Sequence, residues 1–322
     1  MSSETVSKTS VQAEEPGRWA LFVAYVSGSD LWRQFRGSPS AISGAVAITT
    51  LVVLALLAPW ISPQNPFDPA SLNVLDANLR PAWLQDGSWR YLLGTDRQGR
   101  DVLSAILFGL RVSLFVSTAA TLLAMVIGVS TGLLAGYYRG LVDNLLMRVA
   151  DVQLSFPAIL IALLIDGISR NVLSHAVHRD LAIPIVIAAI GLSNWVPFAR
   201  TVRGSVMVER EKDYVHAAAI TGVSVPRILL RHILPNVLGP VLVLGTLGLG
   251  LAVLTEAALS YLGVGVPVTR PSLGTLVRIG NEVLFSGEWW IAIFPGITLV
   301  FLVLAVNLFG DWVRDALNPR LR

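Results

Sequence analysis

The sequence predicts an all-α, polytopic membrane protein with six transmembrane helices. Of the 322 residues, 54% are hydrophobic and only 14% are charged, and the mean hydropathy is +0.66, which is far more apolar than a soluble domain of this length. The apolar residues are grouped into six segments of about 20 residues, the length that a helix needs to cross a bilayer. The small net charge of +3 gives no indication of nucleic-acid binding, and the absence of cysteine excludes disulfide and thiol chemistry.

The six apolar segments determine the expected organisation of the chain. They cover residues 41–61, 110–136, 145–165, 181–202, 237–259 and 290–308. The expected parts are a partly disordered N-terminal tail (1–40), a first helix (41–61), a loop (62–109), a five-helix core (110–310) that includes a loop at 203–236, and a C-terminal tail (311–322).

The positions of Lys and Arg predict the orientation in the membrane. Most of the 24 residues of these two types lie before the first span, beside the turn after the second, between the fourth and fifth spans, or after the last. Because cytoplasmic loops are enriched in Lys and Arg, both termini and the loop at 203–236 are expected to be cytoplasmic, and residues 62–109 extracytoplasmic. The first span follows about forty polar residues and has no small-residue cleavage site, so it is expected to be a retained helix.

The polar segment 213–236 is predicted to form two short helices between the fourth and fifth spans. Three consecutive alanines favour the first helix, and Gly222 can adopt the left-handed conformation that ends it. Ser224 is a potential N-cap for the second helix, with Pro226 in its first turn, and Pro235 is expected to end that helix.

Charged residues complement the ends of these two helices. Asp213 lies at the start of the first helix, where the helix dipole favours negative charge, and Arg227 and Arg231 lie in the second. Together the two helices are expected to form a compact cytoplasmic projection that a partner protein can bind.

A polar segment precedes the second span. Residues 62–100 are interrupted by several prolines and are expected to form a loop with little regular structure. The segment ends in LGTDRQGRD at residues 93–101, which by itself predicts a turn followed by a helix-capping residue.

The spacing within segment 213–236 resembles the EAA loop of ATP-binding-cassette (ABC) importer permeases. That pattern is Glu-Ala-Ala, three residues, Gly, nine residues, and Ile-x-Leu-Pro. The matching residues are Ala217, Ala218, Gly222, Leu234 and Pro235, whereas His216 replaces the glutamate and His232 the isoleucine.

From residue 93 to residue 320 the chain is similar to the dipeptide and oligopeptide permease family, and specifically to the second, C-type subunit of a permease pair. The matching stretches are LGTDRQGRD at 93–101, SFP at 155–157, Ala199-Arg200 with Arg203, EAALSYLG at 256–263, Trp289-Trp290, Pro295-Gly296, and NLFGDWVRDALNP at 307–319. The N-terminal tail lies outside this resemblance.

The resemblance implies the ABC importer type I permease fold. It also implies that the chain moves short peptides across the bacterial inner membrane by alternating access. The implied partners are a paralogous permease subunit, one or two ABC ATPase subunits that bind ATP and Mg²⁺, an extracytoplasmic substrate-binding protein, and membrane lipid. Related permeases carry nickel chelates or oligosaccharides, so the cargo is left open. The residues expected to couple the chain to the ATPases are Asp213, Tyr214, Ala217, Ala218, Gly222, Arg227 and Arg231.

The chain is not expected to be an enzyme. A phosphate-binding loop has the pattern GxxxxGK[ST], and neither of the two lysines, Lys8 and Lys212, follows such glycines. No Ser/His/Asp set or zinc-ligand set is present that would indicate a hydrolase. The alternative class is an ion-coupled secondary transporter or channel, which should carry acidic residues near the midplane of broken helices and usually more than six spans. A membrane-anchored assembly factor is a third class.

Two carboxylates are candidates for lining the substrate path. Glu256 and Asp166 fall near the ends of their predicted spans, where an exposed carboxylate costs less free energy than at the bilayer centre. His175 and His178 have a spacing that can bind a metal, but no third ligand is nearby, so no metal site is predicted.

Small residues recur on one face of the second span. Gly128, Gly132 and Gly136 are spaced by four residues, which places them in a row along a helix. This small-xxx-small pattern predicts a close approach to a neighbouring helix.

Overall fold

The computed structural model describes residues 35–267 and 269–317, which form a bundle of α-helices. The helices are α1 (Pro39–Ile61), α2 (Val102–Tyr138), α3 (Gly140–Leu154), α4 (Ala158–Val172), α5 (His175–Glu209), α6 (Asp213–Ile220), α7 (Val225–Arg227), α8 (Leu234–Tyr261), α9 (Leu273–Asn281) and α10 (Trp290–Leu317). A π-helical segment, Ile228–Ile233, joins α7 to α8. Most of the predicted N-terminal tail and the last five residues of the C-terminal tail lie outside the described residues.

The helix lengths and compositions agree with the predicted membrane protein. Five of the helices are long and apolar enough to cross a membrane, and the number is six if α3 and α4 are one bent span. The described parts of the chain contain no β-strand. The predicted all-α fold is confirmed, and the number of apolar spans is six when α3 and α4 are counted as one bent span.

The third predicted span, residues 145–165, is not one continuous helix. α3 and α4 are bent by 91° relative to each other. Pro157 has no backbone N–H and disfavours helical dihedral angles at Phe156, so it favours an interruption of the helix at this point. The chain leaves α3 in a turn in which the Phe156 N–H donates to the Gln153 carbonyl at 3.1 Å.

Several other helix bounds differ from the sequence prediction. α2 begins at Val102, within the region predicted as loop, because the Asp101 carboxylate accepts the Ser104 N–H at 2.8 Å and caps an earlier first turn. α5 continues to Glu209 and α10 to Leu317, so the last span extends into the predicted C-terminal tail. α9 was not predicted, because nine residues with a mixed composition give no span-length signal.

The LGTDRQGRD stretch folds as the predicted turn and cap. The buried Asp96 carboxylate accepts from Arg100 Nε at 2.6 Å. The Trp290 indole N–H donates to the Thr95 carbonyl at 3.2 Å. The stretch therefore attaches the loop before α2 to the first turn of α10.

The three glycines of α2 form a close contact with α5. A Cβ atom at Gly132 would lie 2.6 Å from the Ala199 carbonyl oxygen and 2.7 Å from Val202 Cβ, both on α5. Gly128 and Gly136 meet α5 in the same way, one turn earlier and one turn later. The predicted packing face is confirmed, and we call it the glycine seam.

The glycine seam also fixes the relative direction of α2 and α5. The residue numbers of the contacting positions increase in the same direction along both helices, from Gly128 against Trp195 to Gly136 against Val206. The two helices are therefore parallel, and the α3–α4 pair returns the chain between them. Their C-terminal ends lie side by side, where Arg139 donates to the Met207 carbonyl at 3.2 Å.

α1 packs on the outside of this arrangement against α10 and α2. A Cβ atom at Gly44 would lie 2.9 Å from Leu308 Cβ, and Ala58 is fully buried near Phe108. Most large side chains of α1 remain exposed.

Substitution of Gly132 by alanine is expected to destabilise the fold. The new methyl group forces α2 and α5 apart, and overpacking of this kind costs about 1–3 kcal/mol. Gly204→Ala is the matched control, because Gly204 lies within α5 and nothing is within 4 Å of its Cβ position. We expect Gly132→Ala to lower the melting temperature of the purified protein and Gly204→Ala to leave it unchanged or raise it. Equal melting temperatures for the two variants would contradict the glycine seam.

Candidate functional site

The segment 213–236, which we call the loop, lies at the end of the bundle where α2 and α5 finish. It follows directly on α5 and leads into α8. An ion pair of 2.8 Å between Arg139 and Glu211 connects the end of α2 to the residues before the loop. The loop is therefore attached to both helices of the glycine seam.

The first helix of the loop ends at Gly222, as predicted. Gly222 has φ +79°, the left-handed conformation. The Val223 N–H donates to the Ala218 carbonyl at 3.1 Å, and the Gly222 N–H donates to the Ala219 carbonyl at 3.1 Å. These two bonds are those of a Schellman motif, which needs a left-handed residue at the position of Gly222.

The second helix agrees with the prediction only in part. Ser224 occupies the N-cap position and Pro226 lies in the first turn, but the Ser224 side chain makes no capping hydrogen bond. The expectation that Pro235 ends this helix is wrong. The chain passes from α7 through the π-helical segment into α8 without leaving a helical conformation.

The π-helical segment explains how the helix tolerates Pro235. A proline removes one N–H and its ring collides with the carbonyl four residues earlier in a regular α-helix. Here the Leu234 N–H donates to the Leu229 carbonyl, five residues earlier, so the backbone is locally wider. The widened turn accommodates the ring, and Pro235 then lies in the first turn of α8.

One face of the loop is apolar and packs on the bundle. The inward side chains are Val215, Ala218, Ile228, Leu229 and Ile233, each at most 9% exposed. They form one cluster with Leu133, Val202 and Val206 from the ends of α2 and α5. Burial of this face stabilises the position of the loop.

The opposite face of the loop is exposed and carries most of the predicted coupling residues. Asp213, Tyr214, Ala217, Gly222, Arg227 and Arg231 are exposed, whereas Ala218 is buried in the inward cluster. Within the described ranges, no carboxylate lies within 4.0 Å of either arginine.

Two large apolar side chains share the exposed face with the arginines. Ile220 is 87% exposed and Leu230 is 61% exposed. Neither was predicted from the sequence, because Ile220 follows three alanines and Leu230 follows two other aliphatic residues, so nothing local marks them as exposed. Exposed apolar side chains beside cations are a composition suited to a protein interface.

Tyr214 closes the loop against its own ends. Its hydroxyl donates to the Glu209 carboxylate, and Asn236 Nδ2 donates to the Tyr214 hydroxyl at 2.9 Å. Glu209 also pairs with Lys212 Nζ at 2.8 Å. Partial burial and the bond to the Glu209 carboxylate raise the pKa of the Tyr214 phenol, so this group remains a neutral donor near pH 7. Glu209 and Asn236 were not singled out from the sequence.

Ion pairs join α5 to α3 beside the loop. Arg203 donates to both oxygens of Asp143, with distances of 2.5 and 2.6 Å, and Asp143 is buried. Arg200 pairs with Asp151 at 2.5 Å. The bidentate Arg203–Asp143 pair has the stronger geometry of the two ion pairs, and it fixes the position of α5 relative to α3.

Glu256 is buried, whereas an exposed carboxylate is expected from the sequence. The side chain is fully buried, with Oε2 accepting the Ser113 hydroxyl at 2.8 Å and Oε1 accepting the Ser260 hydroxyl at 2.7 Å. Ser113 in turn accepts the Leu273 N–H at 3.2 Å. Glu256 thus joins α8, α2 and the first turn of α9, and its place in a substrate path stays a prediction.

Asp166 is also buried, at 2% exposure. Its Oδ2 pairs with Arg170 Nε at 2.5 Å, and Oδ1 lies 4.0 Å from His178 Nε2. Its contact with a substrate likewise stays a prediction. The His175 side chain lies outside the described residues, and those that are described contain no group of three or more potential metal ligands.

Two family models match the chain. One is described as the binding-protein-dependent transport system inner membrane component and matches residues 128–322. The other is described as the N-terminal transmembrane domain of oligopeptide transport permease C and matches residues 28–81.

Similar proteins cover almost the full length of the chain. The dipeptide transport system permease protein DppC of Haemophilus influenzae is 36% identical over 91% of this chain and 95% of that protein. The protein of the same name from Escherichia coli K12 is 38% identical over 91% of this chain and 93% of that protein. The di/tripeptide transport system permease protein DppC of Pseudomonas aeruginosa is 35% identical over 91% of this chain and 92% of that protein.

A solved structure has a similar fold. It is a structure of the MetNI methionine ABC transporter in inward-facing conformations, which matches with a TM-score of 0.50. The match covers 64% of this chain and 93% of that chain at 19% sequence identity.

Proposed function

The chain belongs to the family of binding-protein-dependent transport system inner membrane components, and on this premise we propose that it is a permease subunit that carries short peptides through a bacterial inner membrane. The relatives named above are dipeptide and di/tripeptide permeases, which supports peptide cargo. Nickel chelates and oligosaccharides remain alternative cargoes, and specificity resides largely in the binding protein.

The permease is proposed to work without catalytic residues of its own. ATP and Mg²⁺ are bound by one or two separate ABC ATPase subunits, in keeping with the absence of a phosphate-binding loop pattern from this sequence. The other proposed partners are a paralogous permease subunit, an extracytoplasmic substrate-binding protein and membrane lipid.

The exposed face of the loop is the proposed docking surface for an ATPase subunit. The observation that carries this proposal is the two-sided construction of the loop. Its apolar inner face is buried on the helices of the glycine seam, whereas Arg227, Arg231, Ile220 and Leu230 are exposed. A surface that is rigidly attached to the bundle and open to a partner can transmit motion in both directions.

The proposed mechanism is alternating access by rigid-body motion. When the ATPases close on ATP, each displaces the docked loop of its permease subunit. Because the loop, α2, α3 and α5 are joined by buried contacts and ion pairs, they move together and open the path toward the binding protein. Proposed contacts with the ATPase are Asp213, Tyr214, Ala217, Gly222, Arg227 and Arg231, and the buried Ala218 supports them from below.

The ion-coupled alternative has weaker support. It expects acidic residues at the midplane of broken helices. The break at Pro157 does bend the third span, and Asp166 follows it, but that carboxylate is already paired with Arg170. The loop, with its match to the EAA pattern, has no role in that alternative.

Gly222→Val is expected to weaken the coupling between the permease subunit and the ATPases. Nothing lies within 4 Å of the Gly222 Cβ position, so a Cβ atom there meets no neighbour, and the expected defect is the strain of a β-branched residue at positive φ. Strain of this kind costs about 1–3 kcal/mol and shifts the second helix of the loop. We expect the complex to assemble, but substrate-stimulated ATPase activity and uptake to fall roughly five- to thirty-fold, as a loss of about 1–2 kcal/mol of coupling implies.

Two control variants separate backbone conformation from side-chain bulk. Gly222→Asn should retain most of the activity, because Asn tolerates the left-handed conformation. Gly239→Val places the same bulk in α8 at a position with nothing within 4 Å and ordinary φ. Transport by Gly222→Val at the wild-type rate would show that the loop is not the coupling element.

The proposed orientation predicts which exposed serines react from outside the cell. Single cysteines are introduced at Ser71, Ser174 and Ser224, all of which are exposed, into a chain that has no natural cysteine. With an impermeant thiol reagent on intact cells, Ser71→Cys and Ser174→Cys should be labelled and Ser224→Cys should not. External labelling of Ser224→Cys would show that the orientation is the reverse of the proposed one. Failure to label Ser174→Cys would show that α3 and α4 do not cross the membrane together as one span.

A further inference from the structure

An open groove lies at the end of the bundle opposite the loop, between α1, α2 and the start of α5. Its volume is about 780 Å³. The walls are mostly apolar and include Leu56 of α1 and Phe108 and Phe115 of α2. Two cationic side chains, Arg111 and Arg270, line the same groove.

Neither arginine has an anionic partner within the described part of the chain. No carboxylate lies within 4.0 Å of Arg111 or Arg270, and both residues are exposed. Arg203, by contrast, is paired with the buried Asp143. Two unpaired guanidinium groups in one apolar groove provide a binding site for an anion.

The position of Arg111 along α2 places it at the level of lipid headgroups. The next charged residue along this helix is Arg139, and residues 112–138 between them would span about 40 Å as an α-helix. The hydrocarbon core of a bilayer is about 30 Å thick, which is less than this length. Arg111 can therefore lie at one boundary of the core and Arg139 at the other. Trp60, near the end of α1, is 78% exposed, as is common for aromatic residues at the membrane interface.

An apolar surface leads away from Arg111 toward the membrane interior. Phe115, Leu122 and Val126 lie on the same face of α2 as Arg111 and are 54–63% exposed. Their spacing of four, seven and four residues keeps them in one row along the helix. This row has the direction and the chemistry that an acyl chain below a headgroup requires.

We propose that this groove is a specific site for an anionic phospholipid. The phosphate is bound by Arg111 and Arg270, and one acyl chain lies against Phe115, Leu122 and Val126. The bound lipid connects α2 to the segment between α8 and α9, which carries Arg270. The site requires only that the chain is in a membrane, so it does not depend on the identity of the cargo.

Native mass spectrometry of the assembled complex tests the site directly. The complex is purified in mild detergent and titrated with phosphatidylglycerol or with phosphatidylcholine. We expect wild type to retain phosphatidylglycerol preferentially, and Arg111→Gln with Arg270→Gln to weaken its binding at least ten-fold without changing phosphatidylcholine binding. Arg148→Gln is the matched control, because Arg148 is an exposed arginine of α3 far from the groove.

Two further arms keep the test decisive if the double glutamine variant fails to fold. Arg111→Lys with Arg270→Lys retains both charges and should retain preferential phosphatidylglycerol binding. A photoreactive phosphatidylglycerol should label wild type on α2 near Phe115. Equal retention of the two lipids by wild type, or cross-linking of Phe115→Cys to the paralogous permease subunit in place of lipid labelling, would overturn the proposal.

Discussion

The close contact between α2 and α5 is the constraint on which the rest of the structure depends. Parallel helices cannot be joined by a short turn, so the chain must return between them through α3 and α4. Gly128, Gly132 and Gly136 allow the two backbones to approach until a methyl group would collide with α5. Since van der Waals packing is a main source of helix association in a membrane, the three small residues determine which helices become neighbours. They also bring the C-terminal ends of α2 and α5 to one place.

The proposed coupling surface is built on those two ends. Val206 of α5 contacts Gly136 and also belongs to the apolar cluster under the loop, so one side chain takes part in both the seam and the support of the loop. Tyr214 then bonds the end of α5 to the start of α8 through Glu209 and Asn236. On the proposed mechanism, a force on the exposed face reaches the long helices through these packed side chains. The π-helical segment is the one departure from regular α-helix on the path from α7 into α8.

The sequence predicts those features that depend on local patterns. The lengths of the apolar segments predict the membrane spans, and the spacing of Gly128, Gly132 and Gly136 predicts the glycine seam. The position of Gly222 predicts the end of α6. Each of these features depends on a few neighbouring residues. Tertiary context determines the rest. Pro235 is accommodated because the π-helical segment widens the turn before it, which no local rule anticipates. The buried Glu256 carboxylate accepts hydrogen bonds from Ser260, one turn away on α8, and from Ser113, which lies 143 residues earlier in the chain and which no local pattern links to it. The exposure of Ile220 and Leu230 likewise follows only from the orientation of the folded loop.

We propose centrally that this chain forms half of a transport path and receives its energy through the loop from separate ATPases. Reconstitution into liposomes with omission of single components is the most direct measurement. Uptake of a labelled dipeptide should require ATP, the paralogous permease subunit, the ATPases and the binding protein together, and the isolated chain should show neither uptake nor ATP hydrolysis. Uptake by the isolated chain in response to a proton or sodium gradient, without ATP, would contradict this proposal.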